Sequence, residues 1–514
     1  MKKIFPVFAA ALFFLVLSPF QARAQDINDA GAAALKKLVE DQIAYADQVY
    51  QNVQGFGIKH SGDVEVTQHS GYYQVRLPHA VIETLHPENT QEIIKIDLGR
   101  VVMNVVPKDD DVLSMSIALP MPLTGKDSQG ETVFTLNVGE QRAHALYMPS
   151  MLAAPRYHLS YKNVTVTDTP EGVLDLEIGE LFTDMKLEKG ADGYWSGPNN
   201  FSAKDVRFNI NAPEGHTAIT VGEIVSRNKY KSYDLAGATK FYREISLMDP
   251  ESMSATENEA LIGSIFTQML EAADGIDSDF SVKNLSFLYH PAGKPEMRAA
   301  VANAGLGFGM DGMRSELSSI RFSINLNGLE TTAPEELRSL IPTDAEYKMR
   351  IVNLPLKGLM GLLGNVMQPE SRHMQPEIQS VMQMFSNAGT KFILDNKSVQ
   401  TPSVGGQVNG EAQADSTAVW GVTAAFTGVL RNLDELIAEM SGQLPAMPVQ
   451  VQQAFMPLGM MQQFGTPGTD PATGQSTRTY EFSVTREGQI LLNGQDMMSL
   501  IGMGMGMPGT PTPY

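Results

Sequence analysis

The chain has 514 residues, no cysteine and a formal charge of −20. Without cysteine there is no disulfide framework, so stability has to come from core burial and sheet hydrogen bonds. An acidic surface of this kind repels nucleic acid and bare anionic membrane, which sets nucleic-acid binding aside, and the length suffices for two domains or one long sheet.

Residues 1–24 read as a secretory signal peptide: Lys2 and Lys3 are the basic start, 4–17 the apolar run and Ala22-Arg23-Ala24 the cleavage site. The run is short for a membrane span, and Pro19 follows it. Cleavage before Gln25 removes Lys2, Lys3 and Arg23, so the charge goes from −20 to −23. The expected address is the periplasm, with an inner-membrane anchor facing the periplasm as the alternative. Residues 25–56 hold an N-terminal helix, with Ala34, Leu38, Ile43, Ala46 and Val49 near its apolar period, read as a cap on the end of a sheet.

Residues 57–250 form a repetitive β region. Ile94, Ile96 and Leu98 precede Gly99; Phe134, Leu136 and Val138 precede Gly139; Leu174, Leu176 and Ile178 precede Gly179; Thr217, Ile219 and Val221 precede Gly222. Alternation at period two marks a half-buried strand, and glycines 40, 40 and 43 residues apart mark a reused unit. Glu140, Glu180 and Glu223 follow three of these glycines; Arg100 follows the first. Gly139, Gly179 and Gly222 are therefore expected to share one backbone state, a bulge or φ > 0. Leu136, Leu176 and Ile219 stand three residues before those glycines, and units in register would stack them into one apolar stripe. Between the units lie partner strands opening Lys162-Asn163-Val164 and Lys204-Asp205-Val206, each followed by Pro-Glu-Gly, at 170–172 and 213–215; Lys283-Asn284-Leu285 is a third echo.

A helical insert occupies 251–276, with Thr256 and Glu259 as a capping box and Leu261, Ile265 and Leu270 as its stripe. The β region continues over 277–345, where Pro334 opens a short helix. Residues 346–494 alternate strands with helices opened by Pro355 and Pro376, and close on a hairpin of Tyr480, Phe482 and Val484 with 490–492. Residues 465–474 read as a loop, and 495–514 as a flexible Gly/Met/Pro-rich tail. The fold class is mainly β (α+β): a long antiparallel sheet, twisted or curled, of repeated hairpin units with helical caps, in two related halves.

No catalytic, cofactor or metal residue is assigned. Gly307, Gly309 and Gly312 match the dinucleotide fingerprint by letter, but residues 315–327 read as turn and strand where that motif needs a helix. The nine histidines form no H-x-x-x-H pair. Asp109, Asp110 and Asp111, and Asp274, Asp277 and Asp279, lack EF-hand order. The 29 methionines, with Met460, Met461, Met497 and Met498 in pairs and Met503, Met505 and Met507 in the tail, suit irregular apolar packing better than Cu(I).

The segment Tyr480-Glu481-Phe482 through Gly488-Gln489-Ile490-Leu491-Leu492-Asn493-Gly494-Gln495, then Met498-Ser499-Leu500, resembles the YdgA-like bacterial family of unknown function. Gly406, Gly410 and Gly421 ahead of Asn432-Leu433-Asp434-Glu435-Leu436 are similar to alphaproteobacterial envelope proteins, and both groups resemble AsmA-like proteins distantly. The resemblance covers about the last 150 residues on motif, and repeat style before that. It implies a periplasmic β-sheet curled into a groove and tied to lipid traffic and outer-membrane upkeep. AsmA-like members keep an N-terminal membrane anchor where this chain carries a cleavage site. The expected function is a non-enzymatic envelope protein that binds or shields acyl chains, with lipid or envelope proteins as partners. A periplasmic scaffold without a small ligand is the alternative, and an exported hydrolase the third. The oligomeric state is not legible.

Overall fold

The computed structural model describes residues 27–51, 56–85, 93–108, 111–168, 174–213, 215–248, 253–332, 338–366, 378–442, 458–471 and 473–497. The signal segment, the first Pro-Glu-Gly turn, Asp109, Asp110, Pro334, Pro376 and the tail from Met498 lie outside the described residues. Two compact units divide the chain, 1–298 and 299–514. The division falls inside the segment 277–345. Among the described residues no helix is long and apolar enough to cross a membrane.

The first unit opens with helix α1 (Asp29–Gln51). Short strands follow: β1 (Phe56–Ser61), β2 (Glu65–His69), β3 (Tyr72–Arg76), β4 (His79–Leu85), β5 (Ile93–Gly99), β6 (Val102–Pro107), β7 (Leu113–Ala118) and β8 (Leu123–Lys126). Then come β9 (Thr132–Met148), β10 (Ala153–Asp168), β11 (Leu174–Lys186), the two-residue β12 (Glu188–Lys189), β13 (Trp195–Ala212) and β14 (Gly215–Tyr233). Helices α2 (Leu235–Ser246) and α3 (Ala255–Ala272) precede β15 (Gly275–Pro291). All the pairing is antiparallel. Strand β9 is the branch point: its first part pairs with β8 and its second with β7. Strands β5, β4 and β1 stand behind β8; β6, β3 and β2 stand behind β7. From the other edge of β9 the order runs β10, β11, β13, β14, β15.

Helix α1 lies on the two short arms. Its Leu35, Leu38 and Val39 are buried in one cluster with Val64, Val75, Met103 and Val105. The apolar stripe is thus led by Leu35 and Leu38, while Ala34 is exposed. The start of the helix is fixed by Tyr73, whose hydroxyl accepts from the Asn28 N–H at 2.9 Å.

Helix α2 falls within the span 57–250 that the sequence assigns to β structure. Leu235, Ala238, Tyr242 and Ile245 recur at helical spacing, but the segment follows directly on the long strand β14 and the strand reading of the span runs over it. What forms it is an N-cap, the Asp234 carboxylate accepting from Gly237 N at 3.0 Å. Burial of Leu235 with Ala153, Leu187 and Trp195 adds the tertiary part. Helix α3 begins at Ala255, so Thr256 lies inside its span. Leu270 is buried, whereas Ile265 is exposed.

The second unit carries β16 (Met297–Asp311), β17 (Ser318–Thr331), β18 (Asp344–Leu354), α4 (Leu356–Val366), α5 (Ile378–Ala388), β19 (Lys391–Gln400), β20 (Gly405–Ala414) and β21 (Val422–Arg431). Helix α6 (Leu433–Ser441), β22 (Thr466–Thr469), β23 (Ser476–Val484), β24 (Ile490–Leu492) and β25 (Gln495–Asp496) complete it. Strands β16 to β21 pair in chain order, and β23 adds to β21. The stretch expected as a loop contains β22, which pairs with β23 through Thr466 and Thr479. An apolar row crosses this unit in register: Phe308, Phe322, Met349, Leu394, then Gly410, Phe426, Phe482 and Leu492. Gly410 leaves room there, because a Cβ would run into the Phe426 ring.

Candidate functional site

The repeat glycines sit in one line across the long strands of the first unit. Lys162 pairs with Glu140 and Val164 with Val138, so Asn163 stands opposite Gly139. The same argument puts Asn163 opposite Gly179, Gly179 opposite Asp205, Asp205 opposite Gly222 and Gly222 opposite Asn284. The expected positive φ is not on Gly139, Gly179 or Gly222. It is on their neighbours: Asn163 and Asp205 at 52° and Asn284 at 51°. Asn and Asp tolerate this left-handed state best among residues with a Cβ. The glycines serve by being small. A Cβ on Gly179 would stand 3.0 Å from the Asp205 Cβ, and one on Gly139 or Gly222 3.1 Å from the Cβ of Asn163 or Asn284. No extra residue enters either strand of these pairs, so the line is not a row of bulges. Gly99 differs from the other three: it ends β5 with φ of 63°.

The left-handed residues keep one face apolar. In an unbroken strand, residues three apart point to opposite sides. Tyr161 and Val164 are three apart, yet both are buried in one cluster with Leu159 and Ala143, flanked by Leu136, Val138, Ile178 and Leu181. Apolar parity changes from 164 and 166 to 159 and 161, and Asn163 turns the strand between them. The two residues at the turn in each partner strand are polar. Lys162, Lys204 and Lys283 make ion pairs with Glu140, Glu180 and Glu223 at 3.7, 2.8 and 2.7 Å. Hydrogen bonds from Lys204 and Lys283 hold the Glu180 and Glu223 carboxyls below the ordinary glutamate range. Exposed pairs add little stability, but opposite charges directly across strands favour this register over its neighbours.

Leu136, Leu176 and Ile219 do share one row. Across the strands it reads Leu123, Leu136, Val166, Leu176, Phe208, Ile219 and Phe287. Leu123 is 3% exposed and Val166 5%; Leu136, Leu176, Phe208 and Ile219 are half-buried; Phe287 is 36% exposed. Phe201 and Phe280, beyond the glycine line, are also exposed. The apolar face is closed at the β9 end and open toward β15.

Where the face meets helix α1 there is a partly open pocket of about 300 Å³. Both short arms line it, through Ile58 and Leu98 on one side and Met103, Met115 and Ile117 on the other, with Tyr242 and Ser246 contributed by α2. The Tyr45 and Ser246 hydroxyls share a hydrogen bond of 2.6 Å across this junction. Burial, then the phenols of Tyr242 and Tyr45, raise the Tyr50 pKa above its ordinary value. Three polar side chains interrupt the lining or flank it. Gln42 on α1 has both amide atoms buried without a hydrogen-bond partner. His60 on β1 hydrogen-bonds Asp47 Oδ1 through Nε2 at 3.0 Å and has a buried, unpartnered Nδ1. Arg243 on α2 stacks on Tyr45 at 4.1 Å and has a buried, unpartnered Nη1. These three were not singled out from sequence. The available signals were a glutamine within the apolar stripe of α1, and a histidine alternating with Ile58.

Elsewhere the polar candidates have ordinary partners. Among the described residues no group of three His, Asp or Glu side chains is placed to hold a metal ion. Asp111 accepts hydrogen bonds from the Ser150 amide and hydroxyl, and Asp274 pairs with Lys231 at 3.0 Å. Gly307 and Gly309 lie within β16, and Gly312 opens a turn into β17, so the helix a dinucleotide site requires is not there. Met460 and Met461 are exposed, and the tail methionines lie outside the described residues. Comparison of the chain with protein-family models, with curated proteins and with solved structures finds no match.

Proposed function

We propose that this chain is a non-enzymatic periplasmic envelope protein of the YdgA/AsmA-like type, which binds or shields lipid acyl chains on the apolar face of its long strands. The observation that carries the reading is the register row from Leu123 to Phe287, which passes from buried to exposed without a polar side chain. Apolar surface left open in a row of this length favours an apolar partner. The partly open pocket at the α1 end continues the same face through Ile117, which packs against the clusters on both sides.

Leu176→Thr tests it. Leu176 is half-buried, so on an open face the hydroxyl reaches water and the cost stays near 1 kcal/mol; in a closed core an unpaired hydroxyl costs roughly 1–3 kcal/mol on top of the lost packing. The expected result is a cooperative melt close to wild type, together with loss of co-purifying lipid in native mass spectrometry and of a hydrophobic dye. A wild-type protein that purifies gently with no lipid and takes up no dye would favour the scaffold reading instead.

A further inference from the structure

We propose that the cavity beneath α1 is a head-group site for a single-chain amphiphile with an anionic carboxylate head, held by Gln42 and Arg243. The proposal rests on the acyl-binding reading and says what end of the ligand goes where. A buried polar atom without a partner is costly, because it has given up water for nothing. Here four such atoms on three side chains occur at one cavity or against its wall: both amide atoms of Gln42, His60 Nδ1 and Arg243 Nη1. Gln42 and His60 line the cavity, and Arg243 lies on the ring of Tyr45, which also lines it.

The donors define the head. A guanidinium is always charged and only donates, and an amide donates through its nitrogen. A carboxylate, with two oxygens and several lone pairs, fits such a set, and a charged acceptor strengthens each bond. A cationic head would meet Arg243 unfavourably. Apart from the Ser246 hydroxyl and the tyrosine hydroxyls, the remaining lining is alkyl and aromatic, which fits hydrocarbon better than a sugar or a peptide. The size agrees: a dry cavity of about 150 Å³ takes one benzene ring, so about 300 Å³ takes roughly a dozen carbons. The rest of a longer chain would continue along the row toward Leu136 and Leu176.

The experiment uses the full chain and isothermal titration with decanoate and decan-1-ol, which share a chain and differ in the head. Wild type should bind decanoate about tenfold or more tighter than the alcohol, the ratio expected of one charge-assisted hydrogen bond. Gln42→Leu and Arg243→Gln should each shrink that ratio severalfold and leave the alcohol's affinity near wild type. Gln42→Leu removes an unpartnered amide, so its melt should not fall below wild type, which makes it the safe variant if Arg243→Gln folds poorly. Equal binding of the two probes would overturn the head-group site and leave the acyl reading standing. A decanoate preference untouched by both substitutions would also overturn it. Binding of neither probe would remove the acyl reading itself.

Discussion

Alanine at Gly179 tests the reason for the repeat. The new Cβ would lie 3.0 Å from the Asp205 Cβ, 3.2 Å from its Oδ2 and 3.4 Å from the Lys204 carbonyl oxygen. The carboxylate oxygen can swing away. The Cβ and the carbonyl cannot, because Asp205 is held at φ of 52° in a strand paired on both sides. Overpacking of this kind costs roughly 1–3 kcal/mol, while replacing glycine by alanine recovers roughly 0.5–1 kcal/mol of chain entropy. The net expectation is a loss of about 1–2 kcal/mol. Gly139 and Gly222 meet Asn163 and Asn284 at nearly the same distances, 3.1–3.4 and 3.0–3.4 Å, so their alanine variants should lose a similar amount. Gly57 is the control, since it also lies in a strand but a Cβ there meets nothing within 4 Å. Its alanine variant should be neutral or more stable. Midpoints from urea melts of the four variants decide. If the three row glycines tolerate alanine as Gly57 does, the close approach to the left-handed residues is not what selects them.

Packing and charge set three further outcomes. Leu187 is fully buried beside Trp195 and Leu235, so Leu187→Ala should cost roughly 3–5 kcal/mol, read by calorimetry. Burial first, then Tyr230 and Asp234, push the Tyr233 pKa up to about 12. The folded state therefore keeps the proton after the unfolded chain has lost it at pH about 10. Its contribution is complete below that pH and falls by up to ~1.4 kcal/mol per unit as pH rises toward 12; Tyr233→Phe should remove that slope in alkaline melts. Arg478 holds both Asp434 oxygens through Nε at 3.1 Å and donates to the Gly465 carbonyl at 3.0 Å, so Arg478→Gln should lower the melt of its unit by roughly 2 kcal/mol; an unchanged melt would show the pair to be idle.

Much of the strand plan was legible because it is local. Period-two alternation marks β9, β11 and β14, and the Lys-Asn-Val and Gly-Glu signatures mark two sides of one cross-strand contact. Phe392 to Val399, the hairpin after Tyr480 and the helix ahead of Met440 were legible for the same reason. The helix at Leu235 was passed over although Leu235, Ala238, Tyr242 and Ile245 keep a helical period: it follows directly on a long strand, and its start is set by the Asp234 cap and by Leu235 meeting Leu187 and Trp195. Not legible was β22, four residues around Pro467 and Gly468 that are strand only because Thr477 and Thr479 lie beside them.

The sequence by itself determined that Leu136, Leu176 and Ile219 are equivalent, since equal spacing from a glycine needs no third dimension. It also determined that some residue in each unit departs from ordinary strand geometry. Only the tertiary structure decided which one. Alternation orders side chains within a strand but carries no record of what stands across from it, so the left-handed turn was expected on the glycine and is found on Asn163, Asp205 and Asn284. The same physical limit hid the cavity. Gln42, His60 and Arg243 lie on α1, β1 and α2, and the hydroxyls of Tyr45 and Ser246, 201 residues apart, come within 2.6 Å only when the chain has closed on itself.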